Sequence, residues 1–395
     1  MISYLQQSKN RKLLLIVAAV ALILIGTLYA QLTSAATYTW DNGGGDNLWS
    51  TCTNWSSDVC PGSGDVALFT SATTSDSTID ASFAGSVRGV DIDSGYTGTI
   101  TQERDLTIGS NGYTQDDGTF FQGTNDFNFN DGFFAVNGGT FTTAAGTSNL
   151  DRNFTVGASA TYTSSSTRTW IFDGNDGLDE TTFTYTGTFP DTIDLAKSST
   201  GGTFTLASGV ITNMLSASTH RGDIIINSGT ILHAANNVLD AFNLTISGEL
   251  YASTTIDVAA SFTLNASGEF YYDGSTINIE RNYTDNGGTF DASGVTLVFD
   301  STDGLDGTNF NHPGTFDGIV DISKSGSNHA FTLVSGVIAS TTDMSTNAGP
   351  VTINNGTTMH VANNVFDAFD LTVSGQLYAS STVDISGSFT LNSTG

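Results

Sequence analysis

Asn243-Leu244-Thr245-Ile246-Ser247-Gly248-Glu249-Leu250-Tyr251 is followed, with Gly268 standing 20 residues after Gly248, by Ser261-Phe262-Thr263-Leu264-Asn265-Ala266-Ser267-Gly268-Glu269-Phe270-Tyr271. Each stretch reads as a strand, a glycine-bearing turn and a second strand. Within Ser261–Leu264 the pattern alternates, with Phe262 and Leu264 on the apolar phase and Ser261 and Thr263 on the polar phase. Such period-2 alternation marks a half-buried strand. Glycines keep the same step elsewhere: Gly98, Gly118 and Gly139 are 20 and 21 apart, and Gly209, Gly229, Gly248, Gly268 and Gly288 are 20, 19, 20 and 20 apart. A unit of that length is too short for a propeller blade and fits one coil of a β-solenoid. The chain is therefore read as all-β, a right-handed parallel β-helix (β-solenoid) of about 20-residue coils with an N-terminal cap. Some 15 coils at ~4.8 Å each would make a rod of roughly 70 Å.

A coarser repeat lies over the finer one. Residues 172–268 align without a gap on residues 299–395, an offset of 127, with about half of the positions identical. Ala235-Asn236-Asn237-Val238 returns as Ala362-Asn363-Asn364-Val365. Six coils of about 21 residues account for 127, as a stack requires, because an odd slip would turn inward side chains outward. Gly395 is the counterpart of Gly268, in mid-coil. This predicts a longer parent protein whose open end favours end-to-end association.

Composition narrows the function classes. Of 395 residues, 39 are acidic and 11 basic, a formal charge of -28, which speaks against a nucleic-acid partner. The 25 Phe and 12 Tyr supply the apolar, β-prone surface that a disordered chain lacks. Residues 1–36 carry a basic start (Lys9, Arg11, Lys12), the apolar run Leu13 to Ala30 and the small residues Ser34-Ala35-Ala36. They are read as a signal peptide or an uncleaved N-terminal anchor, so the expected location is secreted or cell-surface, with membrane contact only through this segment or a missing C-terminal region. Cys52 and Cys60 are expected to form a disulfide in an exported chain. Trp40, Trp49 and Trp55 crowd the same segment. Residues 37–80 are accordingly read as a Trp-rich, disulfide-bearing cap on a solenoid running from 81 to 395, with sugar stacking on the tryptophans as the alternative.

Thr39-Trp40-Asp41, Asn47-Leu48-Trp49-Ser50, Asn54-Trp55, Pro61 and Asp65, together with Gly95-Tyr96-Thr97-Gly98-Thr99-Ile100-Thr101, Asn282-Tyr283-Thr284 and Gly287-Gly288-Thr289-Phe290, resemble the N-terminal part of large bacterial surface proteins. The similarity is to autotransporter-like and filamentous-haemagglutinin-like passengers with β-helical repeats. It implies surface exposure and an adhesive or stalk role, with surface glycans or a host or neighbouring cell as partner, and no shared catalytic residues.

Candidate chemical residues have bland readings beside them. Arg88, Arg104, Arg152, Arg168, Lys197, Arg221, Arg281 and Lys324 are scattered in sequence, unlike the base of a polysaccharide lyase. Asp116 and Asp117 could be drawn as an acid–base pair and are read as turn residues. His233 and His360 are repeat equivalents, as are Lys197 and Lys324, and duplicated packing explains them as well as a duplicated site would. Asn236-Asn237 and Asn363-Asn364 are read as amides that bond turn backbone. Asp173, Asn175, Asp176 and Asp179, with Asp300, Asp303 and Asp306, form the best calcium candidate, but lack the spacing of a calcium loop and read as acidic turns. No cofactor and no catalytic residue is assigned. The expected function is an exported, non-enzymatic structural or adhesive rod; the alternative is a carbohydrate-binding or carbohydrate-cleaving β-helix.

Overall fold

A backbone that pairs only with the coil before it and the coil after it must return to the same register every turn. The computed structural model, which describes residues 35–174, 180–198, 201–234, 237–300, 307–326, 329–342, 344–361 and 364–394, has this arrangement. The described residues are 53% strand and 2% helix and form a β-solenoid of about 15 turns of about 21 residues. All strand pairs are parallel among the described residues; a single antiparallel bridge joins Trp40 to Trp55.

In the middle of the rod each coil carries three strands. Ile224–Ile226, Ile231–His233 and Leu239–Ala241 lie under Leu244–Ile246, Glu249–Ala252 and Ile256–Val258, which lie in turn under Ser261–Leu264, Glu269–Tyr272 and Thr276–Ile279. The inward positions form continuous columns. One runs Val90, Tyr113, Phe134, Phe154, Phe183, Leu206, Ile226, Ile246, Leu264 through successive register partners. The expected phase holds: Phe262 and Leu264 are buried, whereas Ser261 and Thr263 are half-buried on the outer face. The aromatic column also forms, with Phe120 and Phe141 stacked at 5.2 Å and 3°.

The 127-residue offset is a whole number of coils. From Phe204 the register passes through Ile224, Leu244, Phe262, Tyr283 and Phe310 to Leu333, six steps. Leu333 is two residues past Phe331, the sequence counterpart of Phe204. A slip of two preserves the inward phase; a slip of one would invert it. Turn glycines are fixed by the same stacking. A Cβ on Gly222 would lie 1.9 Å from the carbonyl oxygen of Gly202, and one on its counterpart Gly349 would lie 2.1 Å from that of His329.

The first coils are closed by aromatic rings. Trp40, Trp49 and Trp55 are all 0% exposed. Trp55 meets Trp40 and Trp49 edge-on at 5.1 and 5.2 Å, and all three pack on Phe69. The Trp55 indole donates to the Trp49 carbonyl at 3.0 Å, and the Cys52–Cys60 disulfide ties the adjoining loop. Sugar stacking is thereby removed as a role for these tryptophans, since their faces are spent on one another. The cap is also not separate from the stack, because Thr37–Thr39 pairs with Val66–Phe69, which pairs with Ser86–Ile92. The signal or anchor reading of residues 1–36 lies outside the described residues except for Ala35 and Ala36; among those described, no helix is long and apolar enough to cross a membrane.

Phase sets the cost of a charge. Phe262→Asp places a carboxylate inside the column and is expected to destabilise the rod by several kcal/mol, whereas Thr263→Asp, one residue away on the outer face, should cost under about 1 kcal/mol. Urea unfolding midpoints of the two variants check this, and equal shifts would contradict the register.

Candidate functional site

Polar side chains on the inward phase are the first to account for. Arg168 shares its strand phase with Trp170 and Phe172 and is 0% exposed. Its guanidinium donates to the carbonyls of Ala144, Thr147, Gly123 and Asn125 and to Ser148 Oγ, at 2.7 to 3.2 Å. Nearby, the buried carboxylate of Asp191 accepts from the hydroxyls of Tyr162 and Ser164, each at 2.5 Å, from Thr143 at 3.2 Å and from the Arg168 amide at 3.1 Å. Trp170 Nε1 donates to Tyr162 Oη at 3.0 Å. A charge held this way is a structural tie, saturated by its own coil and its neighbours. Lys197 and Lys324, both 0% exposed, donate to the carbonyls of Asp151 and Glu280 at 2.8 and 2.9 Å. The duplicated lysines are therefore packing elements.

The remaining sequence candidates divide as follows. Asp116 and Asp117 lie in a bend, where Asp116 accepts from Asn137 Nδ2 and Asp117 from the amides of Gly95 and Gly118. Asn237 and Asn364 occupy equivalent places and each donates at 2.6 Å to a carbonyl of the preceding coil, Met214 and Thr341, as expected of turn-bonding amides. Asn236 and Asn363 lie outside the described residues, as do Asn175, Asp176, Asp179, Asp303 and Asp306 of the calcium candidate. Among the described residues no group of three or more His, Cys, Asp or Glu could hold a metal ion. His233 stacks on Tyr251 at 4.4 Å and Tyr251 on Tyr271 at 4.5 Å, and His360 stacks on Tyr378 at 4.8 Å. These outer rings lie face to face along the rod, and the two stacks end in exposed tyrosines, Tyr271 and Tyr378.

One concavity gathers charge. A groove of about 290 Å³ is lined by His220, Arg221, Asp240, Phe242, Asp257 and Glu280. Asp240 and Asp257 are register partners on adjacent coils, so their carboxylates leave the sheet about one strand spacing apart, ~4.8 Å. Burial and then the charge of Asp257 push the Asp240 carboxyl up to about 6, against the opposing pull of Arg221. Asp257 is raised in turn by burial and by Asp300. His220 is 1% exposed, and burial, aided by the charge of Lys197, lowers its imidazole to about 4 even though the Asp223 carbonyl favours the charged form. Its Nε2 lies 3.4 Å from that carbonyl, and its Nδ1 has no hydrogen-bond partner. The second copy repeats the groove with Asn347, Ala348, Asp367 and Asp384 in place of His220, Arg221, Asp240 and Asp257. Asp367 and Asp384 are again register partners. Sequence reading missed this place because the partners are 17 residues apart, not 20, and only the register brings them together.

No family model matches the chain, and no curated protein and no solved structure shows significant similarity to it.

The buried imidazole has a pH signature. Since His220 titrates near 4 in the folded protein and near ~6.5 when unfolded, the unfolded chain takes the proton first. The stability of the neutral ring is complete above about pH 6.5 and is lost as pH falls toward 4. His220→Asn, which copies the residue of the second repeat, should gain on the native protein by roughly 2 kcal/mol between pH 7 and 4.5. Urea midpoints at the two pH values measure it, and a pH-independent difference would refute it.

Proposed function

We propose that the protein is an exported, non-enzymatic rod that serves at a cell surface as a structural or adhesive element. The observation that carries this reading is the parallel stacking of coil on coil among the described residues, an architecture whose main product is length. The composition supports it as well. Buried cations are tied to backbone, the aromatic faces stack on one another, and the outer columns are built from short polar residues such as the Asn128–Asn149 and Thr142–Thr163 pairs. The net charge of -28 keeps such rods apart in solution. The N-terminal apolar run and the cap-side disulfide support export. Surface glycans or the surface of a neighbouring cell are the partners proposed.

Two measurements test this together. Antibodies against the rod should label intact source cells, and the purified protein should release no reducing ends from a polysaccharide panel. Labelling only after lysis would overturn the surface placement. Release of sugar ends would replace the rod with a carbohydrate-cleaving β-helix.

A further inference from the structure

The groove beside His220 has more acceptors than donors. Asp240 Oδ1 and His220 Nδ1 are buried without a hydrogen-bond partner in the protein. Nε2 faces the Asp223 carbonyl and so carries the imidazole proton, which leaves Nδ1 as a lone-pair acceptor. Asp257, one coil along, repels Asp240. With Glu280 and Arg221 the lining holds three carboxylates and one guanidinium, a formal charge of -2. Buried acceptors and like charges at one strand spacing are costly unless something donates to them.

We propose that this groove binds a primary ammonium or guanidinium group, with Asp240 and Asp257 as its counter-charges, His220 Nδ1 as an acceptor and Phe242 as an apolar wall. The choice among ligands follows from the lining. A bare metal ion is disfavoured, since the described residues offer no group of three or more metal-binding side chains. A neutral sugar would leave the carboxylate repulsion in place, whereas an organic cation relieves it and can place its alkyl part against Phe242, where a cation also meets the ring quadrupole. The volume of about 290 Å³ admits the end of a lysine or arginine side chain or a small free amine. The carboxylate pair recurs as Asp367 and Asp384 in the second copy, six coils or roughly 29 Å along the rod. Ala348 stands there in place of Arg221. The inference holds whether the rod is an adhesin, a scaffold or an enzyme.

The test is a titration of the full chain with n-butylammonium and methylguanidinium chloride at constant ionic strength, read from the ring resonances of the five histidines. His220→Asn identifies the His220 signal by its loss. A saturable shift of that signal is expected with either organic cation and not with sodium. In the Asp240→Asn, Asp257→Asn double variant the affinity should fall by about tenfold or more, and in Arg221→Ala it should rise by about threefold. Asp321→Asn, whose carboxylate lies outside the groove, should bind as the native chain does. Blocked N-acetyl-lysine amide binding as tightly as n-butylammonium would point to a partner's side chain, and its exclusion would point to a free amine; both outcomes support the site. An unmoved His220 signal, an equal response to sodium, or a folded double variant with native affinity would overturn it.

Discussion

Everything in this rod depends on backbone hydrogen bonds that run from one coil to the next in the same parallel register. Because strands alternate their side chains with a period of two, that pairing sorts every residue into an interior or an exterior column. The core is then a set of columns one residue wide: Ile224, Leu244 and Phe262 stand above one another because their amides pair, and their apolar contact follows from that pairing. Coil length can drift, as it does between Tyr283 and Phe310, provided that the change is made in a turn and the phase is kept. The two-residue slip between Phe331 and Leu333 across the duplication is tolerated for this reason.

A narrow interior leaves little room for polar groups that are not fully bonded. Arg168 illustrates the solution: four carbonyls and a hydroxyl surround a guanidinium with no solvent contact. Lys197 and Lys324 follow the same rule, reaching backbone two coils away in sequence, across 46 and 44 residues. Removing one member of such a set leaves the others buried and unsatisfied, which costs more than the bond itself was worth. The duplication has kept both lysines while letting His220 become Asn347 and Gly202 become His329. The tied Asp191 has given way to Gly318, while the groove carboxylates Asp240 and Asp257 return as Asp367 and Asp384.

How much of this could be seen in the sequence follows from the same periodicity. The fold class, the phase of Phe262 and the six-coil duplication are local or strictly periodic, so glycine spacing and alternation reveal them. Arg168 in Arg168-Thr169-Trp170-Ile171-Phe172, and Lys197 in Ile193-Asp194-Leu195-Ala196-Lys197, also sit on the inward phase, and that alternation could have announced their burial. The groove could not be read that way. Asp240 pairs with Asp257 at 17 residues and Asp257 with Asn278 at 21, so turn lengths decide which acids become neighbours, and turn lengths do not show in composition. The stacking of His233 on Tyr251 depends on the same hidden count, an 18-residue step.

Because the backbone of each coil pairs only with the coils on either side of it, a pull on the two ends loads the strand pairing one rung at a time. A coil of about 21 residues occupies one rung of ~4.8 Å in the rod, yet its backbone drawn straight would span roughly 70 Å. Under tension the molecule would therefore pay out slack in steps, each more than ten times the height of the coil lost, while the coils behind the break keep their pairing. The stacked architecture that makes a short, stiff spacer at rest is, for that reason, also a reel of tether.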